Sequence, residues 1–200
     1  MLITLVSVAI GGVVGLIAVL DADSEIGAFG LGVGVTLLML QGGATIACGL
    51  ACLARRRLEV VALGGLVAAG LAIVLFALAV WLEIDSETYV KLAAIAYIWS
   101  FFALVVLGLT LAAQPVETLA RALYLGAASA SLLGGLIATA LILSTGGGDV
   151  VPIAGPFPYA ALGNEDLLRP LGAVFVVIAT LWFCTLAASR VERPAPDLIR

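Results

Sequence analysis

The chain reads as six long apolar runs divided by short polar breaks, at about residues 2–20, 27–53, 59–82, 89–113, 119–143 and 168–189. A helix crossing a hydrocarbon layer of ~30 Å needs about 20 apolar residues, and every run approaches or exceeds that length. The runs are continuous rather than alternating, and longer than the roughly 9–11 residues of a barrel strand, so helix is predicted throughout. In lipid the backbone polar groups must be satisfied within the segment, which a helix does on its own. The expected fold is an all-α membrane protein: one domain of six transmembrane helices.

The breaks carry the topology. Asp21, Asp23 and Glu25 divide the first two runs, and Arg55, Arg56, Arg57 and Glu59 the next pair. Glu83, Asp85 and Glu87 follow the third run; Gln114, Pro115, Glu117 and Arg121 follow the fourth. A long segment, 144–167, carries Asp149, Glu165 and Asp166, and a short tail, 190–200, carries Arg190, Glu192, Arg193, Asp197 and Arg200. Alternate breaks therefore gather Arg55, Arg56, Arg57, Arg121, Arg190, Arg193 and Arg200 on one side, against only Lys91 and Arg169 on the other. By the Lys/Arg rule the basic side is cytoplasmic. Both termini are then expected inside the cell membrane, with 144–167 as an extracytoplasmic loop. Residues 2–20 lack a basic leader and exceed the 7–15 apolar residues of a usual signal core, so a retained helix is expected there.

The acidic breaks echo one another. Asp23-Ser24-Glu25 recurs as Asp85-Ser86-Glu87 and, more weakly, as Asn164-Glu165-Asp166. Lys91 follows Glu87 by four residues and Arg169 follows Glu165 likewise, the favourable order for an ion pair on a helix. Three tandem helical hairpins in a pseudo-threefold parallel repeat are the expected arrangement. Mitochondrial carriers also have three hairpins, but their motif of proline, acid and base is missing after the odd helices, and no family motif carries residues over.

Composition narrows the classes of function. Of 200 residues 64% are hydrophobic and 11% charged, where a soluble domain carries roughly 25% charged. A mean hydropathy of +1.26 leaves too little polar surface for a water-soluble core. Nine basic residues against thirteen acidic ones give no stripe for phosphates, so nucleic acid is not an expected partner. The composition resembles that of small multi-pass proteins of GC-rich bacteria.

The membrane-spanning interior holds little chemistry. Charges mark pumps and proton relays, yet Glu83, Glu87, Lys91 and Arg169 all lie near span ends, where they can snorkel. The chain has no histidine, which excludes bis-His haem, His-based metal sites and a Ser-His-Asp triad. Neither a catalytic residue, nor a metal, nor a cofactor is expected. Cys48 and Cys52 stand four apart, with Cβ atoms ~5–6 Å from each other, where a disulfide wants about 3.5–4.5 Å. They and Cys184 are expected as small apolar residues with free thiols.

Five features remain as candidates. Gln41, near the middle of the second run and followed by Gly42 and Gly43, is expected as interhelical glue; the alternative is a polar contact for a solute, with the glycines admitting it. Tyr97 and Trp99, with Ser100, Phe101 and Phe102, either line a cavity or face lipid, and the lipid-facing reading is preferred. Trp81 and Tyr89 suit an interfacial belt. The outer loop opens with Gly146-Gly147-Gly148 and carries Pro152, Pro156, Phe157, Pro158 and Tyr159. Its prolines forbid a helix, so it is expected as a surface segment or lid, or as a tolerated insertion between repeats. Small residues four apart, as at Gly11 and Gly15, Gly30 and Gly34, and Gly126, Ala130 and Gly134, predict close helix packing.

The function expected from these features is non-enzymatic: a membrane subunit, scaffold or stress-related component acting through helix packing and its outer loop. Its partners would be the lipid bilayer and either further copies or other membrane subunits. The alternative is a facilitator or channel for a neutral or apolar solute, lined by Gln41, Tyr97 and Trp99.

Overall fold

The structure, a computed structural model, describes residues 26–82, 86–113, 118–144, 152–154, 157–158 and 165–191. The expected first span, 2–20, lies outside them, as do the tail beyond Val191 and most of the outer loop. The other five runs form five helices: α1 (Ile26–Ala54), α2 (Glu59–Leu82), α3 (Glu87–Ala113), α4 (Thr118–Ser144) and α5 (Glu165–Val191). All five are long and apolar enough to span a membrane. Their ends fall within three residues of those expected. The largest departure is α5, which starts at Glu165 and carries Pro170 inside it. Proline frees a carbonyl in the preceding turn, which membrane helices tolerate when a neighbour or water serves it.

The turn from α1 to α2 is tight. Arg56 N–H donates to the Leu53 carbonyl and Arg57 N–H to the Cys52 carbonyl, both at 2.9 Å. This pair of bonds is the Schellman closure of a helix end. It holds Arg56 in the left-handed region at φ 51°, and Leu58 follows at φ 47°. An L-residue there costs about 1–2 kcal/mol.

Helix directions follow from the contacts. Gln41 meets Tyr97, Thr45 meets Ser100 and Cys52 meets Leu107, at chain separations of 56, 55 and 55 residues, so α1 and α3 run parallel. A Cβ at Gly42 would strike Ile73 and one at Gly49 would touch Leu66, so α2 runs antiparallel to α1. Trp99 meets Thr139 and Thr110 meets Tyr124, which sets α4 antiparallel to α3. Gly126 faces Leu181 and Gly134 faces Val174, which turns α5 back again. The helices behind the acidic breaks, α1, α3 and α5, thus share one direction.

Helix α3 is the hub. It packs on all four other helices, while α2 otherwise meets α1 and α4 otherwise meets α5. Half of α3 is buried, against 22% of the span in α2 and 17% of that in α5. The described helices are therefore two triads sharing α3. Among the described helices, α1 and α5 make no extended contact. The main core cluster is built on Ile98, Phe102, Leu141, Ile142, Leu171 and Ile178 of α3, α4 and α5, and it also takes in Leu38 of α1 and Ala72 of α2.

Two short strands add to the helices. β1 (Pro152–Ala154) pairs antiparallel with β2 (Phe157–Pro158), with Pro152 opposite Pro158. The loop joins α4 to α5, yet β1 lies against α1.

The small-residue faces carry the packing, and this can be measured. A Cβ at Gly134 would lie 2.8 Å from the Phe102 ring and 3.2 Å from Val174, whereas one at Gly70 meets nothing within 4 Å. Gly134→Ala is expected to lower stability by about 1–3 kcal/mol through overpacking. Gly70→Ala is expected to be neutral or to stabilise by up to about 1 kcal/mol. Reversible unfolding in bicelles reads both.

Candidate functional site

Several polar side chains of the spans meet on α3. The Gln41 Nε2 of α1 donates to the Tyr97 carbonyl at 3.1 Å. One turn on, the Thr45 hydroxyl lies 2.9 Å from the Gln41 carbonyl, 3.2 Å from the Ser100 carbonyl and 3.3 Å from the Ser100 hydroxyl. On another face of α3, Trp99 Nε1 donates to the Thr139 hydroxyl at 3.1 Å, and that hydroxyl donates to the Gly135 carbonyl at 2.7 Å. Further along, the Thr110 and Tyr124 hydroxyls stand 3.0 Å apart. The contacts with Tyr97, Ser100, Trp99 and Thr110 tie α3 to a neighbour, while the bonds to the Gln41 and Gly135 carbonyls stay within one helix. Among the described residues no buried side-chain nitrogen or oxygen lacks a partner.

Gln41 thus makes a hydrogen bond between α1 and α3. Gly42, the proposed point of approach for a ligand, is occupied instead by Ile73, whose Cδ1 would lie 2.9 Å from a Cβ there. The lipid-facing reading of Tyr97 is corrected. Tyr97 is 3% exposed, with its ring edge-on to Phe76 at 6.4 Å between centroids. Ser100 and Phe102 are likewise buried. The reason is that α3 has neighbours on most of its circumference, so aromatics that would face lipid on an outer helix face protein here. Tyr89 also departs from the belt reading, since its hydroxyl donates to the Leu75 carbonyl at 2.7 Å and ties α3 to α2.

Sequence reasoning missed Thr45, Ser100, Thr110, Tyr124 and Thr139 as members of these ties. The four-residue spacing of Gln41 and Thr45 puts both on one helix face and was the available signal. The cysteines agree with the sequence: Cys48, Cys52 and Cys184 are free, and the buried Cys52 thiol lies 4.0 Å from the Leu107 carbonyl. Lys91 pairs with Glu87 at 2.6 Å in the expected order. Of the outer-loop candidates, Pro152, Phe157 and Pro158 fall in the strand pair, while Pro156 and Tyr159 lie outside the described residues. No group of three potential metal ligands occurs among the described residues.

One open space stands out. Between α2 and α4, which make no extended contact, runs a groove of about 570 Å³ floored by α3. Small residues shape it, with Gly64, Gly65 and Ala68 on α2, Ala103 on α3 and Ala128 on α4. Trp99 borders it, and Ser129 and Ser131 are its hydroxyl groups. Both serine hydroxyls donate to their own helix at 2.8 Å, to Leu125 and Ala127. The groove is thus apolar in its chemistry.

The chain matches no protein-family model, no curated protein and no solved structure.

The ties are expected to behave as packing devices. Gln41→Leu should lower stability by ~0.6 kcal/mol, the average for an interhelical bond in a membrane. A double-mutant cycle of Trp99→Phe and Thr139→Val should give a coupling of similar size. Unfolding in bicelles measures both, and a Gln41→Leu protein more stable than the parent would reverse the assignment.

Proposed function

We propose that the chain is a non-enzymatic, six-span membrane protein that serves as a subunit or scaffold of a bacterial cell membrane. On this reading residues 2–20 form the first span and the spans pair as three tandem hairpins. The shared direction of α1, α3 and α5 is what such a repeat requires, and the echoing acidic breaks add to it. The Arg-bearing ends of the helices lie in the cytoplasm, with both termini, as the Lys/Arg asymmetry directs.

The observation that carries the reading is the use made of the interior polar groups. Gln41, Thr45, Trp99 and Thr139 are all taken up in contacts between helices. A solute path would need such groups turned toward it. An enzyme would need a nucleophile with a base, or a metal with three ligands, and no group of three metal ligands occurs among the described residues. What the chain offers to others is surface. Its outer helices expose long apolar faces, and the strand pair of the outer loop reaches from the α4–α5 connection to α1.

Mild detergent extraction should therefore retain further copies or other membrane proteins on the full chain. A protein that stays alone and monomeric by native mass spectrometry contradicts the proposal. In proteoliposomes the parent and Gln41→Leu should show the same background leak for a panel of neutral solutes. A leak above protein-free vesicles that Gln41→Leu changes would favour the facilitator instead. Single cysteines at Arg56 and Asp85, in a background without the native cysteines, should label from opposite faces of the membrane.

A further inference from the structure

The groove between α2 and α4 has its Val61 end toward the Arg-bearing face of the bundle. On α4, Arg121 precedes Ala128 by two turns, and a step of seven residues turns a helix by only ~20° from full register. Arg121 therefore lies on the same side of α4 as Ala128, about 10 Å nearer that end, and it is exposed. On the other wall, Arg57 precedes the groove residue Val61 by four positions and is likewise exposed, in the turn with Arg55 and Arg56. Among the described residues this end carries Arg55, Arg56, Arg57, Arg121 and Arg190 against Glu59 alone. Along the bundle the lining runs from Val61, near the start of α2, to Trp99, near the middle of α3. On α2 the lining covers Val61 to Ala68 and on α3 Trp99 to Val106, a depth of about 10 Å along either helix at 1.5 Å per residue.

We propose that this groove holds an acyl chain of an anionic phospholipid, with its phosphate between Arg57 and Arg121. The commitment to a lipid rests on four observations. The groove opens sideways from helices that span a membrane, so acyl chains are the surrounding medium. Its volume of about 570 Å³ lies within the roughly 300–1,000 Å³ of ordinary ligand sites. Its hydroxyl groups are already bonded within α4, so it asks an occupant for contact and not for hydrogen bonds. The arginines at its mouth supply charge complementary to a phosphate diester, which a neutral apolar solute would not use. The site is independent of the subunit reading, because it concerns what the bilayer places on this face.

Trp99 borders the groove and reports on it. Trp81→Phe and Trp182→Phe leave it the one tryptophan of the chain. The full-length protein is reconstituted in mixed vesicles of phosphatidylcholine and phosphatidylglycerol, one of the two brominated at mid-chain. Brominated phosphatidylglycerol should quench Trp99 at a lower mole fraction than brominated phosphatidylcholine, with a preference of about fivefold for each arginine engaged. Arg57→Gln with Arg121→Gln should bring the two lipids to parity. Gly64→Leu fills the groove from a position where a Cβ meets nothing within 4 Å, and should weaken quenching by both lipids. Equal quenching in the parent, or a preference that survives the double arginine change, overturns the proposal. So does a Trp99 that neither lipid quenches, which would place a second copy or residues 2–20 in the groove.

Discussion

Hydrocarbon offers no hydrogen bonds, and this one property of the solvent organises the molecule. Every amide, hydroxyl and indole N–H carried into the membrane must find its partner in protein. The chain places few such groups there: some tie α3 to its neighbours, and others, such as Ser131 and Thr185, bond to carbonyls of their own helices. Gln41 and Thr45 reach α3 from α1, while Thr139 and Tyr124 reach it from α4. Each bond is worth little on its own, ~0.6 kcal/mol on average. A misplaced register would leave them unpaired at a cost of a few kcal/mol each. The ties therefore select one arrangement more than they stabilise it.

Close packing does the rest. Lipid tails are as apolar as leucine, so burying leucine between helices gains nothing from water release, and backbone proximity becomes the available source of attraction. Gly42, Gly49, Gly65 and Gly134 sit where α1, α2 and α4 meet larger side chains such as Ile73, Leu66 and Phe102. Where the glycines face nothing, as at Gly64, the same small residues leave a groove instead of a contact. One composition thus gives both the tight seams and the open face. Which of the two a glycine makes depends on whether a neighbouring helix is present.

Continuous apolarity made the helices readable, because length alone identifies a membrane span. For the same reason it hid their burial. A helix apolar on every side has no face that names its neighbours, so nothing around Tyr97 distinguished the hub helix from a lipid-facing one. Gln41 was legible because an amide at that depth has few alternatives. Trp99 and Thr139 were not, since an indole and a hydroxyl forty residues apart announce no pairing. The threefold arrangement inferred from the acidic breaks concerned loops, whose repetition fixes chain direction but not which helices touch. The described helices share one direction at α1, α3 and α5, and α3 packs on all four of the others.

The turn at Arg56 joins the fold to its charge asymmetry. Its left-handed conformation is one that glycine adopts without cost, and this chain is rich in glycine, yet an arginine stands there. The strain is about 1–2 kcal/mol. A basic residue next to an anionic bilayer surface recovers about 1 kcal/mol, and it also adds to the bias that fixes which way the helices insert. The two magnitudes are close enough that the membrane can offset most of what the backbone loses. In water the same turn would be better served by glycine. Seen this way, the strained turn, the arginines on either side of the groove and the uncharged interior express one division of labour: charge is kept where lipid headgroups can answer it, and polar bonds are kept where only protein can.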